Sequence, residues 1–171
     1  MQLISSGTVG AGGAANITFS SIPQTYTDLL LVISVRSGSS NDVLFVRING
    51  DTSATTSMIL EGNGSTQSPN TSTTNTFVRF GTITSAATAS TFSNGSAYFT
   101  NYTGSAQKIV NVDYVSENNA TTAYQTIVAG KFPITAAITS LLISNTAGSL
   151  AEYSTAYLYG ILKGSGGATV S

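Results

Sequence analysis

Seven carboxylates are spread along the chain: Asp28, Asp42, Asp51, Glu61, Asp113, Glu117 and Glu152. Two of them facing each other across a cleft would suit glycoside hydrolysis. Asp51 and Glu61 flank one strand-turn region, and Asp113 and Glu117 flank another, but neither pair sits in a motif. They read as scattered surface acids. Calcium needs several oxygen ligands at tight spacing. Asn49-Gly50-Asp51 offers two side chains, and turn formation accounts for both. Histidine and cysteine are absent. That removes the commonest general base, the commonest metal ligand, thiolate sites and disulfides. A serine nucleophile would have only lysine as its base. The glycines of "GTVGAGG" at 7–13 lack the lysine and the strand-to-helix setting of a phosphate loop. These residues predict no catalytic centre, no metal and no cofactor: the chain is not expected to be an enzyme.

The aromatic residues offer a different chemistry. Tyr153, Tyr157 and Tyr159, with Phe99 and Tyr102, could form a platform on which sugar rings stack. Tyrosine is equally the residue of subunit interfaces. Tyr157 and Tyr159 alternate onto one strand face, so either use needs a sheet to carry them.

The elements that must position these residues are strands. The chain of 171 residues is 41% apolar and only 8% charged, with a net charge of −1. The charged share is about a third of the usual one. No basic field exists to hold nucleic acid and no polybasic patch to hold a membrane surface. A surface so poor in charge is expected to be partly covered by neighbouring subunits. The longest near-apolar run, Leu29 to Val35, is too short to span a bilayer, and the N-terminus lacks the positive residue of a signal peptide. Absence of cysteine suits assembly in a reducing cytoplasm.

No window carries a helical period. Short runs rich in Val, Ile, Tyr, Phe and Thr recur instead, divided by Gly, Asn, Ser and Asp. They predict ten strands, near 15–20, 27–36, 43–49, 56–61, 76–81, 96–102, 107–115, 122–131, 138–144 and 153–162. Turn chemistry lies between them: Asn49-Gly50-Asp51, Gly104-Ser105 and Asn118-Asn119. The polar stretch 62–76, containing Pro69, reads as a long exposed loop, and 84–96 as a second. The Gly/Ser-rich ends read as an N-terminal arm over 1–14 and a C-terminal tail over 163–171, outside a sandwich at 15–162. Backbone pairing with a neighbouring subunit's strand edge is expected to order them.

The run "DLLLVISVR" at 28–36 places Leu29, Leu31, Ile33 and Val35 on one face and Leu30, Val32 and Ser34 on the other. Apolar residues on both faces predict burial on both, one in the core and one under a further layer or subunit. "VLFVRI" at 43–48 is two-faced as well, whereas "KIVNVDYV" sends Val110, Val112 and Tyr114 inward and Asn111 and Asp113 outward. Two sheets of about four strands each make the expected fold an all-β antiparallel sandwich, jelly-roll-like, in one domain. An immunoglobulin-like sandwich is the alternative.

"FSSIPQTYTDLLLVISVRS", then "LFVRINGDTS", then "AYLYGILKGS" together resemble a group of tailed-phage virion proteins. The matching residues are Phe19, Ile22, Pro23, Thr25, Tyr26 and Leu29; Arg47, Asn49, Gly50 and Asp51; and Tyr159, Gly160 and Ile161. The resemblance covers the first third and the last strand. It implies a capsid decoration (cement) protein on the virion surface, assembled in the host cytoplasm, self-associating as a homotrimer and bound to the major capsid protein. A tail-fibre module recognising host surface glycans is the alternative. Candidate interface residues are Tyr26, Leu30, Val32, Tyr157 and Tyr159.

Overall fold

The protein is described here by a computed structural model covering residues 1–38, 42–72, 75–119 and 121–162. Among them there is no helix, and twelve strands follow one another. They are β1 (Gln2–Thr8), β2 (Asn16–Phe19), β3 (Asp28–Val35), β4 (Asp42–Ile48), β5 (Thr56–Gly62), β6 (Gln67–Ser72), β7 (Val78–Ile83), β8 (Ser93–Phe99), β9 (Lys108–Glu117), β10 (Ala123–Phe132), β11 (Leu141–Asn145) and β12 (Thr155–Ile161). All pairings are antiparallel. Eight strands form a large sheet in the order β1-β12-β3-β8-β9-β10-β5-β6, and four form a small one in the order β2-β11-β4-β7. The two pack together as a β-sandwich.

The core lies between the sheets and comes from alternating residues. Leu29, Leu31, Ile33 and Val35 of β3 point into it, as do Val110, Val112 and Tyr114 of β9. From the small sheet come Leu44, Val46 and Ile48 of β4, with Val78 and Phe80 of β7. Both inward parities are those that alternation predicts. One edge of the small sheet, β7, is covered by β9 and β10, so the large sheet curls over it.

Strand number and sheet size depart from expectation. The large sheet has eight strands rather than about four: six of the ten expected strands fall in it, and two elements that carried no strand signal join it. The stretch 62–76, expected as a loop, contains β6. Asn63 takes the hairpin corner: its Oδ1 accepts from the N–H groups of Ser65 and Thr66, and Gly64 adopts φ 84°. β6 is an outermost strand exposed on both faces, so backbone pairing alone holds it, and Pro69 is tolerated at such an edge. At the other edge, the expected N-terminal arm supplies β1, paired with β12 of its own chain from Gln2↔Gly160 to Thr8↔Thr155. The arm is therefore laid along its own sheet. The expected C-terminal tail, 163–171, lies outside the described residues.

The stretch 84–96 is an organised loop that gives way to β8 at Ser93. Arg36 organises it. Its guanidinium donates to the carbonyls of Ser85 (2.7 Å), Ala87 (2.9 Å), Thr88 (2.7 Å) and Thr91 (3.1 Å). Burying that many carbonyl acceptors against one fixed cation supplies what secondary structure does not.

Candidate functional site

The residues that carry the phage resemblance meet at one end of the sandwich. Asn49 and Gly50 hold consecutive positive φ angles, 52° and 64°, and Asp51 N–H donates to Ile48 O (2.9 Å). The turn predicted at Asn49-Gly50-Asp51 is thus formed, with the positive φ that Gly50 supplies. The Asn49 side chain reaches across to the segment before β11: Nδ2 donates to Ala137 O (2.8 Å), and Oδ1 accepts from Thr139 N (2.8 Å) and Ser140 N (3.1 Å). Ile22 N donates to Thr139 O (3.0 Å), and Gln24 Nε2 to Ile138 O (3.0 Å), tying the β2–β3 link to the same segment. Tyr102, fully buried, donates its hydroxyl to Pro23 O. Tyr26 lays its ring where a side chain at Gly160 would stand. The motif residues therefore interlock three distant segments. For Ile22, Pro23, Tyr26, Asn49, Gly50 and Gly160 this work is structural.

Tyr26 is half-buried and packs against the core. The other four expected interface residues lie together on the outer face of the large sheet. Tyr157 pairs with Val32, and Tyr159 with Leu30. The register extends each row. One runs Tyr157, Val32, Ser96, Asp113, Ile127, Leu60. The next runs Tyr159, Leu30, Tyr98, Asn111, Ala129, Met58. A third brings Ile161 beside Asp28, and, farther along the sheet, Ile109 beside Lys131 and Thr56.

Two apolar patches emerge, separated by a polar seam of Ser96, Asn111 and Asp113. The first is tyrosine-rich: Leu30, Val32, Tyr157 and Tyr159, with Leu3 at the β1 margin. The second is aliphatic and escaped the sequence reading: Met58 (65% exposed), Leu60 (48%), Ile109 (55%) and Ile127 (48%). Its signal was present as parity. Ile109 shares the outward parity of Asn111 and Asp113, and Ile127 that of Gln125 and Lys131. Two shallow depressions of about 480 and 540 Å³ lie over this patch, between Met58, Ala129 and their neighbours. Large exposed apolar patches on a soluble domain mark binding surfaces.

Charge on this face is sparse. Asp28 accepts from Tyr98 Oη (2.7 Å) and Asn101 N (2.6 Å). That hydrogen bond, with smaller effects of burial and of the Asp28 charge, raises the Tyr98 phenol above its ordinary value. Gln125 donates to Asp113. Lys131 has no ion pair among the described residues.

A separate cleft of about 300 Å³ brings Glu61 and Glu117 together with Tyr124. It differs from the carboxylate pairs considered from sequence. Glu61 accepts from Arg79 (3.2 Å) and from Thr126 Oγ1 (3.2 Å). Glu117 accepts from the N–H groups of Thr88 (2.6 Å) and Asn119 (2.5 Å). Slight desolvation pushes the Glu117 carboxyl up. The N–H groups of Asn119 and Thr88, the Thr88 hydroxyl and Arg36 outweigh it and hold the group below the usual glutamate range. A general acid needs the opposite shift. Among the described residues no cluster of three acidic, His or Cys side chains could hold a metal. The five-residue sugar platform does not assemble, since Phe99 and Tyr102 are fully buried. No helix among the described residues is long and apolar enough to cross a membrane.

In comparisons with protein-family models, curated proteins and solved structures, nothing matches this chain.

Proposed function

We propose that this chain is a structural, non-catalytic virion component: a capsid decoration protein that forms a homotrimer and binds the major capsid protein on the head surface. The observation that carries the reading is the outer face of the large sheet. It presents an exposed aliphatic patch and a half-buried tyrosine patch with little charge, a surface suited to protein contact. The resemblance at Phe19–Leu29, Arg47–Asp51 and Tyr159–Ile161 supplies the virion context.

The strand order supports a jelly-roll core under this reading. Setting aside the hairpins β5–β6 and β9–β10 leaves β1-β12-β3-β8 in one sheet and β2-β11-β4-β7 in the other. In that set β1/β2, β3/β4, β7/β8 and β11/β12 each split between the sheets, and the first and last strands are neighbours. Interleaved Greek keys have this arrangement. The two hairpins extend one sheet, and the aliphatic patch is carried by them.

A decoration protein that binds only the assembled lattice stabilises it by mass action. Particles lacking the protein are expected to release genome at lower temperature while still adsorbing to host cells. Hundreds of copies per purified particle are expected. Thermally normal particles that fail to adsorb, with copy numbers of a few to tens, would overturn this in favour of a glycan-binding fibre module. The exposed Tyr153 and Tyr157 are the feature that favours that second reading.

A further inference from the structure

We propose that the outer face of the large sheet docks onto a second copy of this chain in a head-to-tail manner. The aliphatic patch of one copy (Met58, Leu60, Ile109, Ile127) packs on the tyrosine patch of the next (Leu30, Val32, Tyr157, Tyr159), and three such contacts close a ring. The inference rests on the homotrimer proposed above and names its contact.

Register carries the argument. Rotation about an axis along the strands preserves height, so each row of one copy meets the same row of its neighbour. Leu60 and Ile127 then face Val32 and Tyr157, which share their row. Met58 faces Leu30 and Tyr159, a thioether on aromatic rings, which is a favourable contact. In the third row Lys131, without an ion pair among the described residues, faces the row of Asp28. The Asp28 carboxylate accepts from Tyr98 Oη and Asn101 N and has lone pairs left for an ammonium. Apolar thus meets apolar and cation meets anion in all three rows at once.

The patches cannot satisfy each other within one chain. They face outward from one sheet, with Leu60 and Val32 four strand spacings apart, roughly 19 Å. Nor does an aliphatic-on-aliphatic two-fold contact serve. An axis along the strands would set Lys131 against Lys131, and an axis across them would bury Lys131 under Leu60 and Ile127. On a flat face, a two-fold axis along the strands through the polar seam would make both aliphatic-on-tyrosine contacts in a dimer. The large sheet curls over β7, which tilts the two patches apart, so each contact engages a different neighbour and three copies make the smallest ring.

The chain contains no cysteine, which permits a clean test. Leu60→Cys and Val32→Cys are made singly and together, and each protein is treated with a bis-maleimide of about 10 Å reach, matching the spacing of stacked sheets. The double variant is expected to give a covalent trimer on a denaturing gel, and neither single variant any cross-linked species; a covalent dimer and nothing larger from the double variant would overturn the ring in favour of a two-fold pair. A cross-linked dimer from Leu60→Cys alone would overturn the head-to-tail contact, as would an uncrosslinked double variant at every concentration. As a second readout, Ile127→Lys, at an exposed position, is expected to be a folded monomer by light scattering. An undiminished trimer would remove the aliphatic patch from the interface. A cross-linked trimer whose loss leaves genome release unchanged would keep this contact and remove the capsid role instead.

Discussion

Replacing Asn49 by alanine should cost about 3 kcal/mol, from two separable sources. The first is backbone: φ at Asn49 is 52°, a region that asparagine tolerates and alanine occupies at a cost of about 1 kcal/mol. The second is the side chain, which donates to Ala137 O and accepts from Thr139 N and Ser140 N. A net worth of about 1 kcal/mol for each bond would make three. Asn49 is only half-buried and Thr139 exposed, so water recovers part, and about 2 kcal/mol remains. The sum corresponds to a fall in Tm of roughly 6–12 °C for a chain of this size. Urea unfolding of Asn49→Ala and Asn49→Gly separates the sources. Glycine accepts the positive φ but loses the bonds, so it should cost about 2 kcal/mol. Amide exchange at Thr139 and Ser140 should quicken in both. A cost below about 1 kcal/mol for alanine, or equal costs for alanine and glycine, would refute the reasoning.

Two further outcomes follow from contacts that the sequence motif conceals. Gly160→Ala places a methyl group in the ring of Tyr26 and should destabilise by about 1–3 kcal/mol. In a double-mutant cycle with Tyr26→Ala most of that cost should vanish, and additive costs would show that the two do not touch. Glu117 titrates below the usual glutamate value of 4.5 in the folded chain. A depressed carboxyl contributes stability that is complete above the unfolded value and lost as pH falls through the folded one. Melting temperatures taken between about pH 7 and pH 3 should therefore show a smaller acid loss for Glu117→Gln than for the parent chain. Parallel curves would remove Glu117 from that limb.

Legibility followed burial. β3 and β9 could be read residue by residue because one face of each packs on a dry core, and a period of two is then compulsory. The Asn49-Gly50 turn could be read because two consecutive positive φ angles restrict residue type. β1 and β6 could not. Both are edge strands, largely exposed on both faces, so backbone pairing is their main hold and no alternation is imposed. Asn63-Gly64 marked the β5–β6 hairpin, but the polar run after it hid the strand. Half of the candidate surface was legible, since Leu30 and Val32 make β3 visibly two-faced. The other half was not, because Met58, Leu60, Ile109 and Ile127 come from three separate strands, and only pairing register makes them one patch. The packing of Tyr26 was hidden for the complementary reason. Its neighbour Gly160 is distant in sequence, and a tyrosine beside an apolar strand looks the same whether it faces a partner or a glycine.

The scarcity of charge and the shape of the sheet bear on one another. A sheet with exposed apolar faces is an aggregation hazard unless its contacts close. Two of the four sheet edges among the described residues are blunted in different ways: β7 is covered by β9 and β10, and β6 carries Pro69. The outer edges of β1 and β2 are uncharged and free of proline. Edge-to-edge growth is thereby discouraged at β6 and β7, while the broad face stays open. A face contact with matched rows closes after a few copies, whereas an edge contact between flat strands need not. Charge on that face would have to be desolvated or paired on assembly. With Lys131 and Asp28 in one row, the face holds the charges that a closed contact can pair. The seam charge Asp113 keeps its own partner in Gln125. In the proposed ring, that sparseness of charge lowers the desolvation cost of bringing two faces together.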